Sequence, residues 1–145
     1  MKKFKYSLES VLNLQYQLES QEKTAFQEAN MKLQEEEDKL RALMDQKASY
    51  EEEQKECMNG NLNLIKVREL KRSIDVMKSR IRTQMINVHV QEKNVEAARI
   101  RLTEAMVSRK TYERMKEKAF DEYKKEMLSE ESKEIDELVS YTFRN

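Results

Sequence analysis

From Val67 to Tyr123, apolar and soft residues return in alternating steps of three and four. The series is Val67, Leu70, Ile74, Met77, Ile81, Gln84, Val88, Gln91, Val95, Ala98, Leu102, Ala105, Arg109, Tyr112, Lys116, Ala119 and Tyr123. A 3.5-residue period held over about eight heptads predicts a helix with one narrow seam. A helix packed on a globular core would show a wider apolar face. This one needs a partner helix, wound with it in a left-handed supercoil.

The chain before residue 58 carries a weaker version of the pattern. Phe4, Tyr6 and Leu8 alternate, and Ser7 is a candidate N-cap with Tyr6 placed to staple against Val11. The seam then runs Leu8, Val11, Gln15, Leu18, Glu22, Phe26, Ala29, Leu33, Glu36, Leu40, Leu43, Lys47, Tyr50, Gln54, Cys57. Two four-residue steps in a row at Leu18, Glu22 and Phe26 predict a stutter that locally unwinds the supercoil. Glu22, Glu36 and Lys47 weaken this seam. Glu19–Lys23, Glu28–Lys32, Glu35–Lys39 and Glu51–Lys55 stand in the favourable order for exposed i,i+4 pairs.

Between the two periodic segments sits Asn59-Gly60-Asn61, with the sole glycine of the chain. Glycine and asparagine tolerate the left-handed conformation that ends helices, so a turn is expected here. The predicted fold is all-α, an antiparallel two-helix coiled-coil hairpin with a longer second helix, forming a single domain over residues 1–145. Helix 1 covers about 7–58, the turn about 59–61 and helix 2 about 62–140. A continuous helix dimerising in parallel is the rival. An even fold at Gly60 carries Met1 to about Ala119. Beyond it, helix 2 carries Phe120, Tyr123, Met127, Leu128, Ile135, Leu138 and Val139 without a partner. Those residues either dock another molecule, fray, or pack on Phe4 and Tyr6.

Composition supports the helical reading and removes several functions. Of 145 residues 39% are charged, there is one glycine, and proline and tryptophan are absent. No apolar run approaches the ~20 residues that cross a bilayer, and the basic N-terminus lacks the apolar core of a secretory signal. A single cysteine, Cys57, suits a reducing compartment. Residues 1–60 hold 9 basic against 13 acidic side chains, residues 61–118 hold 15 against 7, and the remainder 4 against 8. A basic middle admits nucleic-acid binding, but an acidic helix lying against a basic one explains the same asymmetry. His89 stands alone, one position past the seam. The runs Glu35–Asp38 and Glu51–Glu53 point around the helix axis and do not converge on an ion. There is no glycine-rich loop for a nucleotide phosphate. No catalytic, cofactor or metal residues are assigned. The nine methionines, Met77, Met85, Met106, Met115 and Met127 among them, read mainly as seam filler, with an adaptable binding surface as the alternative.

The two ends of the chain carry a resemblance. Phe4-x-Tyr6-Ser7-Leu8-Glu9-x-Val11-Leu12 opening a helix is similar to the N-terminal signature of the FliJ family, the small coiled-coil component of the bacterial flagellar type III export apparatus. Arg109-Lys110-x-Tyr112-Glu113-Arg114-Met115-Lys116-Glu117-Lys118, then Tyr123, Lys133-x-x-Asp136-Glu137 and Phe143-Arg144 resemble the same family. The turn segment is short, and Leu70, Ile74 and Met77 stand where the family often has an aromatic early in its second helix.

The resemblance implies a non-enzymatic protein similar to the central stalk of rotary ATP synthases. It would insert its joined chain ends into the hexameric export ATPase, promote ring assembly, and contact the cytoplasmic domain of the export gate membrane protein. Substrate chaperones are partners of some members. Carried over by position, the ATPase-binding residues would be Phe4, Tyr6, Leu8, Arg109, Lys110, Tyr112, Arg114, Met115, Lys118, Phe120 and Tyr123, within Phe4–Leu12 and Arg109–Leu138. The gate-binding residues would be Leu70, Ile74, Met77, Ile81 and Gln84. The expected location is cytoplasmic, peripheral at the membrane face of the flagellar base, with no nucleic acid and no direct membrane insertion. The alternative is a coiled-coil spacer or dimerisation protein unrelated to an ATPase.

Overall fold

The computed structural model describes residues 3–60 and 63–144. It contains two helices packed against each other, α1 over Glu9–Met58 (50 residues) and α2 over Leu64–Arg144 (81 residues). This is the helical hairpin with a longer second helix that the pattern predicts. Every position of the Val67–Tyr123 series is buried or half-buried.

The helix ends differ in detail from expectation. The Glu9 amide donates to the Tyr6 carbonyl at 3.1 Å, and the Leu12 amide donates to the Leu8 carbonyl at 2.9 Å. Helix α1 therefore opens one residue later than a Ser7 cap would place it. At its other end the Asn59 amide is shared between the Lys55 and Glu56 carbonyls, at 3.1 and 3.3 Å. Gly60 does not take the left-handed conformation, and a Cβ there would meet only the Glu56 carbonyl oxygen at 4.0 Å. Asn61 lies outside the described residues. Helix α2 starts from an Asn63 cap, whose side-chain oxygen accepts from the Lys66 amide at 3.3 Å.

The tertiary contacts divide into two units, Lys23–Arg101 and Met1–Glu22 with Leu102–Asn145. In the Lys23–Arg101 unit, Leu70, Ile74, Met77, Val88 and Ala98 are the buried apolar residues. Phe26, Ala29, Leu33, Leu40 and Leu43 of α1 are half-buried opposite that row. Gln84 is buried in the same row, and its side-chain nitrogen donates to the Glu36 backbone carbonyl at 2.8 Å and to the Glu36 carboxylate. The Asn87 amide donates to the Gln84 oxygen at 3.2 Å. A satisfied polar layer inside an apolar seam fixes which residues face each other. Gln84 and Glu36 stand the same number of residues after and before Gly60.

In the other unit the seam of α1 runs through Leu12, Gln15, Glu19 and Glu22, with Leu12 only 2% exposed and Leu18 39% exposed. Steps of three and four then continue to Phe26, so the predicted stutter is absent. Its cause lies on α2, where Arg109 occupies a seam position. A guanidinium there needs a carboxylate, and Glu19 supplies it while Leu18 turns outward. An even fold at Gly60 would put Val11 opposite Arg109. Among the expected surface pairs, Glu19 is drawn to Arg109 and Lys39 bonds Glu36 at 3.4 Å instead of Glu35.

Candidate docking surface

The joined chain ends are held by aromatic rings and a ladder of ions. Residues before α1 lie along α2, where Lys3–Ser7 and Ala119–Glu130 line one groove. Phe4 meets Phe120 edge-on at 5.1 Å between centroids and Tyr123 at 5.4 Å, and Phe120 stacks on Tyr123 at 6.2 Å. Such pairs contribute about 0.5–1.5 kcal/mol each beyond their buried area. The Lys124 ammonium sits 4.5 Å above the Phe120 ring. The Tyr6 hydroxyl reaches the Tyr112 carbonyl at 3.5 Å.

Below the rings, Lys116 pairs with Glu9 at 2.9 Å. Arg109 holds Glu19 through two nitrogens, at 2.6 and 3.3 Å, and Glu113 through a third at 3.0 Å. The Tyr16 hydroxyl donates to Glu113. These bonds set the local titration. The Glu19 carboxylate holds the Arg109 guanidinium above its ordinary range. The Tyr16 hydroxyl, and then Arg109, hold the Glu113 carboxyl below its range, while the bond to Glu113 pushes Tyr16 up.

The residues assigned to ATPase binding separate into two groups. Phe4, Tyr6, Leu8, Arg109, Tyr112 and Tyr123 are half-buried and hold the two helices together. Lys110, Arg114, Met115, Lys118 and Phe120 are exposed. Lys110, Arg114 and Lys118 follow one another at four-residue spacing and form a single ridge on α2. None of the three forms an ion pair among the described residues.

Of the unpartnered residues beyond Ala119, Tyr123 and Met127 are half-buried beside the N-terminal segment. Leu128, Ile135, Leu138 and Val139 are exposed, on a helix that continues to Arg144. Packing on Phe4 and unpartnered helix therefore both occur, on successive turns.

The five residues assigned to the gate are placed differently from a docking surface. Leu70, Ile74, Met77 and Gln84 are buried and Ile81 is half-buried, all facing the α1 seam. A partner docking on the closed hairpin would not meet these side chains. The same turns present Ile65, Arg68, Arg72, Val76 and Ser79 around a shallow outward depression. Ile65 and Val76 are the apolar residues of this depression, and Glu69, Lys71 and Asp75 line it with them.

No helix is long and apolar enough to cross a membrane among the described residues. Among them, no three His, Cys, Asp or Glu side chains are grouped to hold a metal ion. His89 is exposed, 3.7 Å from Glu92.

A comparison with curated proteins gave no match. Among solved structures, the chain is similar to CT670 of Chlamydia trachomatis, described as a YscO homolog. The two share 20% identity over 98% of this chain and 96% of that one, with a TM-score of 0.63. At that identity the likeness concerns the fold. The family described as flagellar FliJ protein matches residues 4–145, nearly the whole chain, and so the chain belongs to the FliJ family of flagellar proteins.

Proposed function

We propose that this chain is a non-enzymatic, stalk-like component of the flagellar type III export apparatus that docks its joined chain ends into a hexameric export ATPase. Membership of the family carries the coarser part, a component of the export apparatus. One observation carries the finer part. The Phe4–Phe120–Tyr123 cluster joins the two family-signature segments into one unit and leaves Lys110, Arg114 and Lys118 on its outer side. A basic ridge on a helix held in place by its own rings and ion pairs suits an acidic ring lining.

The export-gate contact is assigned here to the outward face of α2 around Ile65, Arg72 and Val76, since the neighbouring seam residues are engaged by α1. The chain would work in the cytoplasm, peripheral to the membrane at the flagellar base, with substrate chaperones as further partners.

The test is ATP turnover and hexamer formation by the cognate ATPase at two salt concentrations. The double variant Arg114→Glu with Lys118→Glu should lose most of the stimulation, with helicity unchanged. The wild-type stimulation should fall as salt rises, because exposed charge contacts are screened over ~8–10 Å. Deleting Glu126–Asn145 should weaken stimulation less. If both variants stimulate like wild type, the spacer reading replaces this one.

A further inference from the structure

The two units of the hairpin are held by different forces. In the Lys23–Arg101 unit five apolar side chains are buried, Leu70, Ile74, Met77, Val88 and Ala98. In the unit of the chain ends, Leu12 is the one buried residue among the described residues. The seam there passes through Gln15, Glu19 and Glu22 on α1 and Arg109, Tyr112 and Lys116 on α2, all half-buried.

Charge does in this unit much of what apolar burial does in the other. Glu9 and Lys116 meet at 2.9 Å with 44% and 39% of their side chains in water. Arg109 joins Glu19 to Glu113. Ion pairs that water reaches are screened by salt and contribute little net stability. Buried apolar side chains carry no charge to screen. The rings of Phe4, Phe120 and Tyr123 close the unit at its outer end.

Connectivity favours opening at this end. At the other end α1 and α2 are tied by the chain itself through residues 59–63, whereas the contacts of Phe4 with Phe120 and Tyr123 are noncovalent. A helical stretch as short as 9–22 is marginal in water without a partner. Helix α2 already runs on to Arg144, beyond the groove it forms with Lys3–Ser7, and so keeps its helix when α1 leaves.

We propose that the chain-end unit is a clasp. The segment up to Glu22 leaves α2 in one step while the Lys23–Arg101 unit stays closed, and the open form bares Leu102, Ala105, Tyr112, Ala119 and Tyr123 of α2. The rings and the ion ladder lie within one short stretch of α1, so they are made and broken together. Salt shifts the balance toward the open form. Where the closed end is the docking form, as proposed above, the clasp regulates that docking. The test reads the chain alone, so its outcome is separate from that of the ATPase assay.

The test is native-state hydrogen exchange of the full chain at low and high sodium chloride. Amides over residues 12–22 should exchange at one common opening rate, at least about tenfold faster than those over residues 70–98. High salt should speed the first set and leave the second unchanged. Phe4→Ala should speed the whole of 12–22 by a similar factor, again without effect on 70–98. A closed control comes from Glu9→Cys with Lys116→Cys in a Cys57→Ser background, joined by a short bis-maleimide linker. In it, the salt effect on 12–22 should vanish. An apolar dye should bind the free chain more as salt rises, and the linked chain should show no such rise. Three results overturn the inference. Exchange that slows steadily from Glu9 inward is simple fraying, an equal response of 12–22 and 70–98 is opening of the whole hairpin, and an unchanged salt effect in the linked chain means the two helices do not separate.

Discussion

Arg109 of α2 and Glu19 of α1 meet in a two-point contact at 2.6 and 3.3 Å, at a level where the apolar pattern of α1 offers Leu18 instead. The pair decides the phase of α1 near the chain ends. Leu12 is then the buried apolar anchor and Leu18 a surface residue. Leu12→Ala should cost about 2–5 kcal/mol in denaturant unfolding, the range for buried leucines. Leu18→Ala should cost under about 1 kcal/mol. Equal costs would restore the stutter.

Gln84 and Glu36 make the corresponding polar contact in the Lys23–Arg101 unit. Replacing Glu36 alone by Leu removes one acceptor from a buried amide, so little stability should be gained. Glu36→Leu combined with Gln84→Leu converts the layer to apolar packing and should raise the melting temperature by several degrees. Cysteine pairs introduced on either side of the layer, in a Cys57→Ser background, should then cross-link in more than one register. A single register in the double variant would show that the polar layer does not set the pairing.

Acid should loosen both layers. The Gln84 amide holds the Glu36 carboxyl below its ordinary 4.5, and Tyr16 and Arg109 do the same for Glu113. A depressed folded pKa gives stability that is present above the unfolded value and lost as pH falls through the folded one. Melting temperature should therefore drop below about pH 4.5, with a smaller drop in Glu36→Gln and Glu113→Gln. Tyr16 has the opposite sign. Its value is raised above 10.0, so its contribution holds below that pH and fades as pH climbs through the folded value. Tyr16→Phe should remove that alkaline part.

The turn yields a contrast between neighbours. Gly60 has neither a left-handed backbone nor a close neighbour, so Gly60→Ala should be neutral or stabilising by up to about 1 kcal/mol. Asn63 caps α2, and Asn63→Ala should cost about 0.5–2 kcal/mol. Thermal melts of the two variants decide between this account and one in which glycine makes the turn.

Much of this architecture is legible in the chain itself, because a 3.5-residue period has one structural meaning. Val67 to Tyr123 could be placed in the seam residue by residue. Near the other end, the choice between Leu18 and Glu19 was not legible. Hydrophobicity favours leucine, and only the opposing Arg109 reverses that preference. The gate assignment went to the seam for a related reason, since Leu70, Ile74 and Met77 are the most apolar residues of their turns. Apolar character alone does not distinguish a residue covered by α1 from one open to another protein.

The central claim is that the end of the hairpin held by Phe4 and Tyr123 is where the export ATPase docks. Hydrogen exchange of the chain, alone and with its cognate ATPase, reads this directly. Protection should rise over residues 4–12 and 109–123 and stay unchanged over residues 36–58 and 64–84. Protection confined to the turn end, or absent along the whole chain, would contradict it.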